Sequence, residues 1–139
     1  MGEKMARAMT VYSKRENVPS RKALQDALDP LGFKIVVDDA YAPFASKGYV
    51  PCALDGEDAG FDLRFQEVEA ETRAKFALSA DSVAMALRWG GDPREELVAL
   101  AVGAALANQF GGIAEEPGAS ERLSADELFE RARKAAKSL

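Results

Sequence analysis

Residues 97–110, LVALAVGAALANQF, are apolar around almost the whole circumference of the helix they would form, and this constrains the fold most. Asp92-Pro93-Arg94-Glu95 opens that helix. Asp92 can cap it, Pro93 suits the first helical position, and Glu95 completes a capping box. Gly111-Gly112 ends it. A helix apolar on every side must be covered on most sides, so the rest of this 139-residue chain has to wrap around it. The unbroken apolar run, 97–107, is eleven residues. A membrane span needs about twenty, so the run is expected to be a core helix.

The segments on either side supply the wrapping. Residues 10–13 (TVYS) are expected to be a first strand. Ser20 is a good N-cap, with Ala23, Leu24, Ala27 and Leu28 following at helical spacing until Pro30. Phe33, Ile35 and Val37 alternate on one face of a second strand. A loop over 38–48 carries Tyr41, Pro43 and Phe44. A strand over 49–54 follows, and Pro51 within it suits an edge or a bulge. Residues 55–60, DGEDAG, are expected to turn the chain. Phe61, Leu63 and Phe65 then alternate with Asp62, Arg64 and Gln66, giving a strand with one wet face. Residues 68–75 allow a helical turn, and 76–79 fit strand or loop. Val83, Met85, Leu87 and Trp89, alternating with Ala84 and Ala86, read as a further strand.

After the central helix, Ile113-Ala114 fits a short strand. Ser124-Ala125-Asp126-Glu127 is a second capping box, opening a helix with Leu128, Phe129 and Ala132 inward. The expectation is one α+β domain over 1–139: two layers, a mainly antiparallel sheet packed with three helices. Residues 1–8 are expected to be a disordered leader, with translation starting at Met5 or Met9.

Charge is distributed unevenly. Nine carboxylates (Asp38, Asp39, Asp55, Glu57, Asp58, Asp62, Glu67, Glu69, Glu71) and two bases (Lys47, Arg64) lie between positions 38 and 71. A concentrated field of one sign attracts an oppositely charged partner and repels nucleic acid. The chain has no histidine, which removes His-dependent triads and most zinc sites. Cys52 is the only cysteine, so no intrachain disulfide is possible and a reducing compartment fits. With acidic neighbours it is expected to be a core side chain rather than a reactive thiol. DGEDAG lacks the twelve-position frame of a calcium loop. Two carboxylates suffice for glycoside hydrolysis, but one tryptophan leaves little for a sugar cleft. Gly90-Gly91 before a helix suits a tight turn better than an anion cradle. The basic end of the last helix shares it with Glu127 and Glu130 in a chain of pI about 4.9, which argues against nucleic acid.

Two segments together resemble a known group. Gly48-Tyr49-Val50-Pro51-Cys52-Ala53-Leu54 continues through Gly60-Phe61, and Arg88-Trp89-Gly90-Gly91-Asp92 runs into an alanine-rich helix ending in Gly111-Gly112. Over roughly residues 30–117 this resembles bacterial immunity proteins encoded beside polymorphic toxins of contact-dependent growth inhibition and related systems. The resemblance implies a cytoplasmic protein that binds and neutralises one cognate toxin domain, such as a nuclease or deaminase with a basic cleft. Immunity proteins diverge fast at their binding surfaces, so it carries over no contact residue.

The functional expectation is therefore a non-enzymatic inhibitor without metal or cofactor, binding a toxin's C-terminal domain and neither nucleic acid nor membrane. Its expected contacts are Asp38, Asp39, Tyr41, Phe44, Tyr49, Asp55, Glu57, Asp58, Asp62, Glu67 and Glu69. One rival is an adaptor subunit that docks through the apolar 97–110 helix. Another is a small enzyme using carboxylates alone.

Overall fold

The computed structural model describes residues 7–117 and 121–139. Its elements are β1 (Ala8–Lys14), α1 (Arg21–Leu28), β2 (Ile35–Val37), β3 (Lys47–Val50), β4 (Cys52–Leu54), β5 (Glu57–Asp58), β6 (Phe61–Glu67), α2 (Ala70–Lys75), β7 (Ser82–Arg88), α3 (Pro93–Gln109), β8 (Ile113–Glu115) and α4 (Ala125–Ala136). The class is α+β and the strand pairing is antiparallel, as the element pattern predicts. The strands, however, form two sheets: a larger one in the order β3-β6-β7-β1-β8, and a smaller one in the order β2-β4-β5. Residues 1–6 of the expected leader lie outside the described residues. Ala8, expected in that leader, instead begins β1 opposite Arg88.

Pro51 divides the sheets. It has no N–H to give a ladder, and the chain leaves the larger sheet at Val50 and enters the smaller one at Cys52. The 49–54 segment is thus two strands rather than one. Burial stays in step across the break: Val50, Cys52 and Leu54 are buried, Tyr49 and Pro51 exposed, Ala53 half-buried. The expected six-residue turn contracts to Asp55-Gly56, with φ of 52° and 85°. Leu54 pairs with Glu57 on either side. Two left-handed residues between paired strands make a tight hairpin whose twist matches its strands. Phe33 falls outside β2, because Lys34 is left-handed at φ 62°.

The apolar helix occupies the centre. Ten consecutive residues of α3, from Leu97 to Leu106, are buried, with α1, α4 and strands of both sheets packed around them. Asp92 accepts from Arg94 N–H at 2.9 Å, as a cap should. Glu95 departs from the capping box: its carboxylate accepts from Gly90 N–H at 3.0 Å and ties the helix to the end of β7. A Cβ at Gly103 would lie 2.5 Å from Met9 Cε, so glycine inside this helix leaves room for the end of the Met9 side chain. At α4 the capping box forms, Leu128 and Ala132 are buried, and Phe129 packs half-buried against them.

The fourth helix, α2, lies where the sequence allows a helical turn. Tyr12, Val68 and Ala84, with Phe76 and Leu78 packed against them, form a second small core. The Tyr12 hydroxyl donates to Glu115 Oε1 at 2.8 Å, and Lys75 Nζ reaches Glu115 Oε2 at 2.7 Å.

Candidate partner-binding surface

Side chains alternate along a strand, and directly paired residues share a face. In the larger sheet this places Tyr49, Asp62 and Arg88 in one outward row, with Lys47, Arg64, Ala86 and Thr10 in the next. In the smaller sheet Val36, Ala53 and Asp58 share a row. Because alternation persists through Pro51, the two outer faces join: Tyr49, Pro51, Ala53, Val36 and Asp58 form one strip. Tyr49 and Val36 are each 57% exposed, among the few large apolar side chains of the described residues that reach the surface. The Tyr49 ring is held in place. Its hydroxyl accepts from Gly60 N–H at 3.1 Å, and the ring lies directly over Gly60.

Acids rim this strip. Asp38 is anchored beside it, its N–H donating to the Pro51 carbonyl. Glu57 and Asp58 are exposed and make no ion pair among the described residues. Asp55 faces Lys34 at 3.8 Å, and Asp62 binds Arg64 Nε at 3.0 Å.

The remaining expected contacts lie elsewhere. Tyr41 is 3% exposed with its hydroxyl donating to Pro19 carbonyl at 2.8 Å; it is a core residue and offers no contact area. Asp39 pairs with Arg21 at 3.2 Å. Phe44 is 44% exposed but packs at a tilt against Phe65, ring centroids 5.5 Å apart, with the Arg15 guanidinium 5.1 Å from its ring. It sits at φ 66°, a left-handed conformation that is strained for an aromatic residue. Ser46 braces the loop, accepting from Ala42 N–H and donating to Ala40 carbonyl. Glu67 is five residues from Asp62, an odd number, so it points to the opposite side of β6. Glu67, Glu69 and Glu71 gather at the far end of that strand, about 20 Å from its start by strand rise. The acidic block therefore divides into two groups, with Arg64 and Lys47 between them.

Other features have structural roles. Cys52 is buried, and burial raises its thiol from the ordinary 9.0 to about 12. Gly90 and Gly91 turn β7 into α3. The apolar face of 97–110 that the adaptor reading would use for docking is already buried against its own chain. Among the described residues no three His, Cys, Asp or Glu side chains cluster as a metal-holding group, and no helix is long and apolar enough to cross a membrane. A cavity of about 560 Å³ lies between Trp89 and α4; the Arg131–Glu116 ion pair at 2.8 Å lines it.

Neither sequence nor registry alone reveals the strip. The unbroken alternation of 49–54 is the signal that could have found Val36 and Pro51, read together with the pairing of β2 on β4. Comparison with protein-family models, curated proteins and solved structures finds no match for this chain.

Proposed function

We propose that this protein is a non-catalytic inhibitor of the immunity type, acting in the cytoplasm, which binds a basic protein domain through the strip centred on Tyr49. The observation that carries this reading is the joined outer face of 49–54. It sets two exposed apolar anchors, Tyr49 and Val36, beside Pro51 and against carboxylates that have no internal partner. Aromatic anchors commonly dominate interface energetics, and Gly60 holds this one in a single position before binding. Unpaired rim carboxylates steer a cationic partner and raise the association rate. The electrostatic part rests on Glu57 and Asp58, with Asp38 beside them; Asp55 and Asp62 are already paired with Lys34 and Arg64 and add little. Tyr41 has no place in it, and Glu67 and Glu69 lie outside the strip.

The test is to read the gene immediately upstream of this chain's and, where it encodes a large secreted protein, to co-express the C-terminal domain of that protein with this chain. Wild-type chain should form a complex and rescue growth. Tyr49→Ala should weaken the complex by about 2 kcal/mol, a hot-spot magnitude. Glu57→Lys combined with Asp58→Lys should slow association at low salt and flatten its salt dependence. Absence of both complex and protection would overturn the inhibitor reading.

A further inference from the structure

The strip ends at Tyr49, but the outer face of the larger sheet continues beyond it with the opposite charge. Lys47, Arg64 and Arg88 are exposed there, and the carboxylates nearby are engaged: Asp62 by Arg64, Glu115 (opposite Thr10) by Tyr12 and Lys75, and Glu95 by the Gly90 N–H. Lys47 lies directly opposite Arg64. Like charges in that position destabilise a strand pair; Asp62 offsets the Arg64 side of it, and Lys47 has no ion pair among the described residues. Arg88 has no ion pair or side-chain hydrogen bond among the described residues, although its strand neighbour Asp62 carries the opposite charge. Beside Arg64 and Arg88, on the side away from Lys47, the sheet is floored by Ala8, Thr10 and Ala86, small side chains that leave a trough of about 540 Å³ lined also by Asp62. All this occurs in a chain of net charge −5.

We propose that this trough is a second contact site, which takes an extended, carboxylate-bearing segment of a protein. Guanidinium groups match planar carboxylates in two-point hydrogen bonds. The small floor lets a backbone lie close to the sheet. A nucleic acid strand fits less well: it carries a charge about every 3.4 Å and would run on past Tyr49 into Asp58 and Glu57. A protein segment places its carboxylates only where the cations are. The trough does not depend on the acidic strip. If both bind one partner, that partner is basic opposite Asp58 and acidic opposite Arg88, and such bipolarity fixes orientation as well as attraction.

The experiment is a titration of the isotopically labelled full chain, followed by NMR at low salt. The probe is a capped peptide alternating glutamate and serine; a lysine–serine peptide and a short oligothymidine are run in parallel. The glutamate peptide should give saturable shifts at the Arg64 and Arg88 Nε–H groups and at the amides of Thr10 and Ala86. Arg88→Glu should weaken that response roughly tenfold, the loss of one charge-assisted hydrogen-bonded contact. Arg88→Gln, a milder change, guards against misfolding. Glu57→Lys should leave the response unchanged, which separates this site from the strip. No saturable shift at these positions would overturn the proposal. An equal or stronger response to oligothymidine would do the same, as would indifference to both Arg88 variants.

Discussion

Gly60 has no room for a side chain: a Cβ there would lie 2.5 Å from Cζ and Oη of Tyr49 and would collide with the Val50 carbonyl. The backbone cannot retreat, because Phe61 begins β6 opposite Val50. Gly60→Ala should therefore cost about 1–3 kcal/mol, the usual penalty of overpacking, read as a lower urea midpoint. It should also loosen Tyr49 and weaken partner binding. Titration at other single residues gives the protein an alkaline limit. Burial raises the Cys52 thiol to about 12; burial and the Glu115 carboxylate raise the Tyr12 hydroxyl from 10.0 to about 12; and burial moves Tyr41 in the same direction. The folded chain keeps these protons at a pH where the unfolded chain releases them, so the unfolded state binds fewer protons. Stability is then fully present below the unfolded values and is lost as pH rises from about 9 to about 12. Denaturant midpoints measured across that range should fall steadily, and Cys52 should resist alkylation at neutral pH until the chain unfolds. A flat midpoint would contradict the burial of these groups.

Elements at the margin of the fold depend on single polar side chains. β2 is an edge strand of three residues, and α1 closes its open side. Gln25 donates to Ile35 carbonyl at 2.7 Å and accepts from Val37 N–H at 2.8 Å, while Arg21 donates to Val37 carbonyl at 2.9 Å. The amide of Gln25 thus occupies the position of a neighbouring strand, and it blunts an edge that would otherwise pair with another chain. Gln25→Ala should destabilise by about 1–3 kcal/mol through backbone groups left unsatisfied, and should increase aggregation in light-scattering assays. Unchanged stability would show that water replaces the amide without loss. At α4, Ser124→Ala removes the hydroxyl that accepts from Glu127 N–H at 3.1 Å. The expected loss is about 1 kcal/mol. The three capped helix starts, at Ser20, Asp92 and Ser124, are legible in the sequence, because capping is a contact between residues at fixed short spacing. The Gln25 contacts are not, since they join residues ten and twelve positions apart.

Across the whole molecule, charge is where stability and function separate. Glu57 and Asp58 make no ion pair among the described residues, so reversing both should change stability by no more than about 0.5 kcal/mol. The same substitutions should still slow association with a basic partner. Equal loss of stability and binding would instead mark them as structural. The sequence by itself determined the class of fold: a helix apolar on all sides, bounded by Asp92-Pro93 and Gly111-Gly112, has to sit inside a shell of strands and amphipathic helices. It also determined that carboxylates crowd the middle of the chain, since composition is local. Tertiary structure alone decided that the shell consists of two sheets, because Pro51 can end a ladder in several ways and only the pairing of β4 with β2 selects one. It alone decided that Asp62 and Glu67 face opposite sides, that Arg21, Lys34 and Arg64 neutralise three of the acids, and that Tyr41 is a core residue. Those outcomes follow from which strands meet and in what register, and contacts between distant residues set the register rather than the order of the chain.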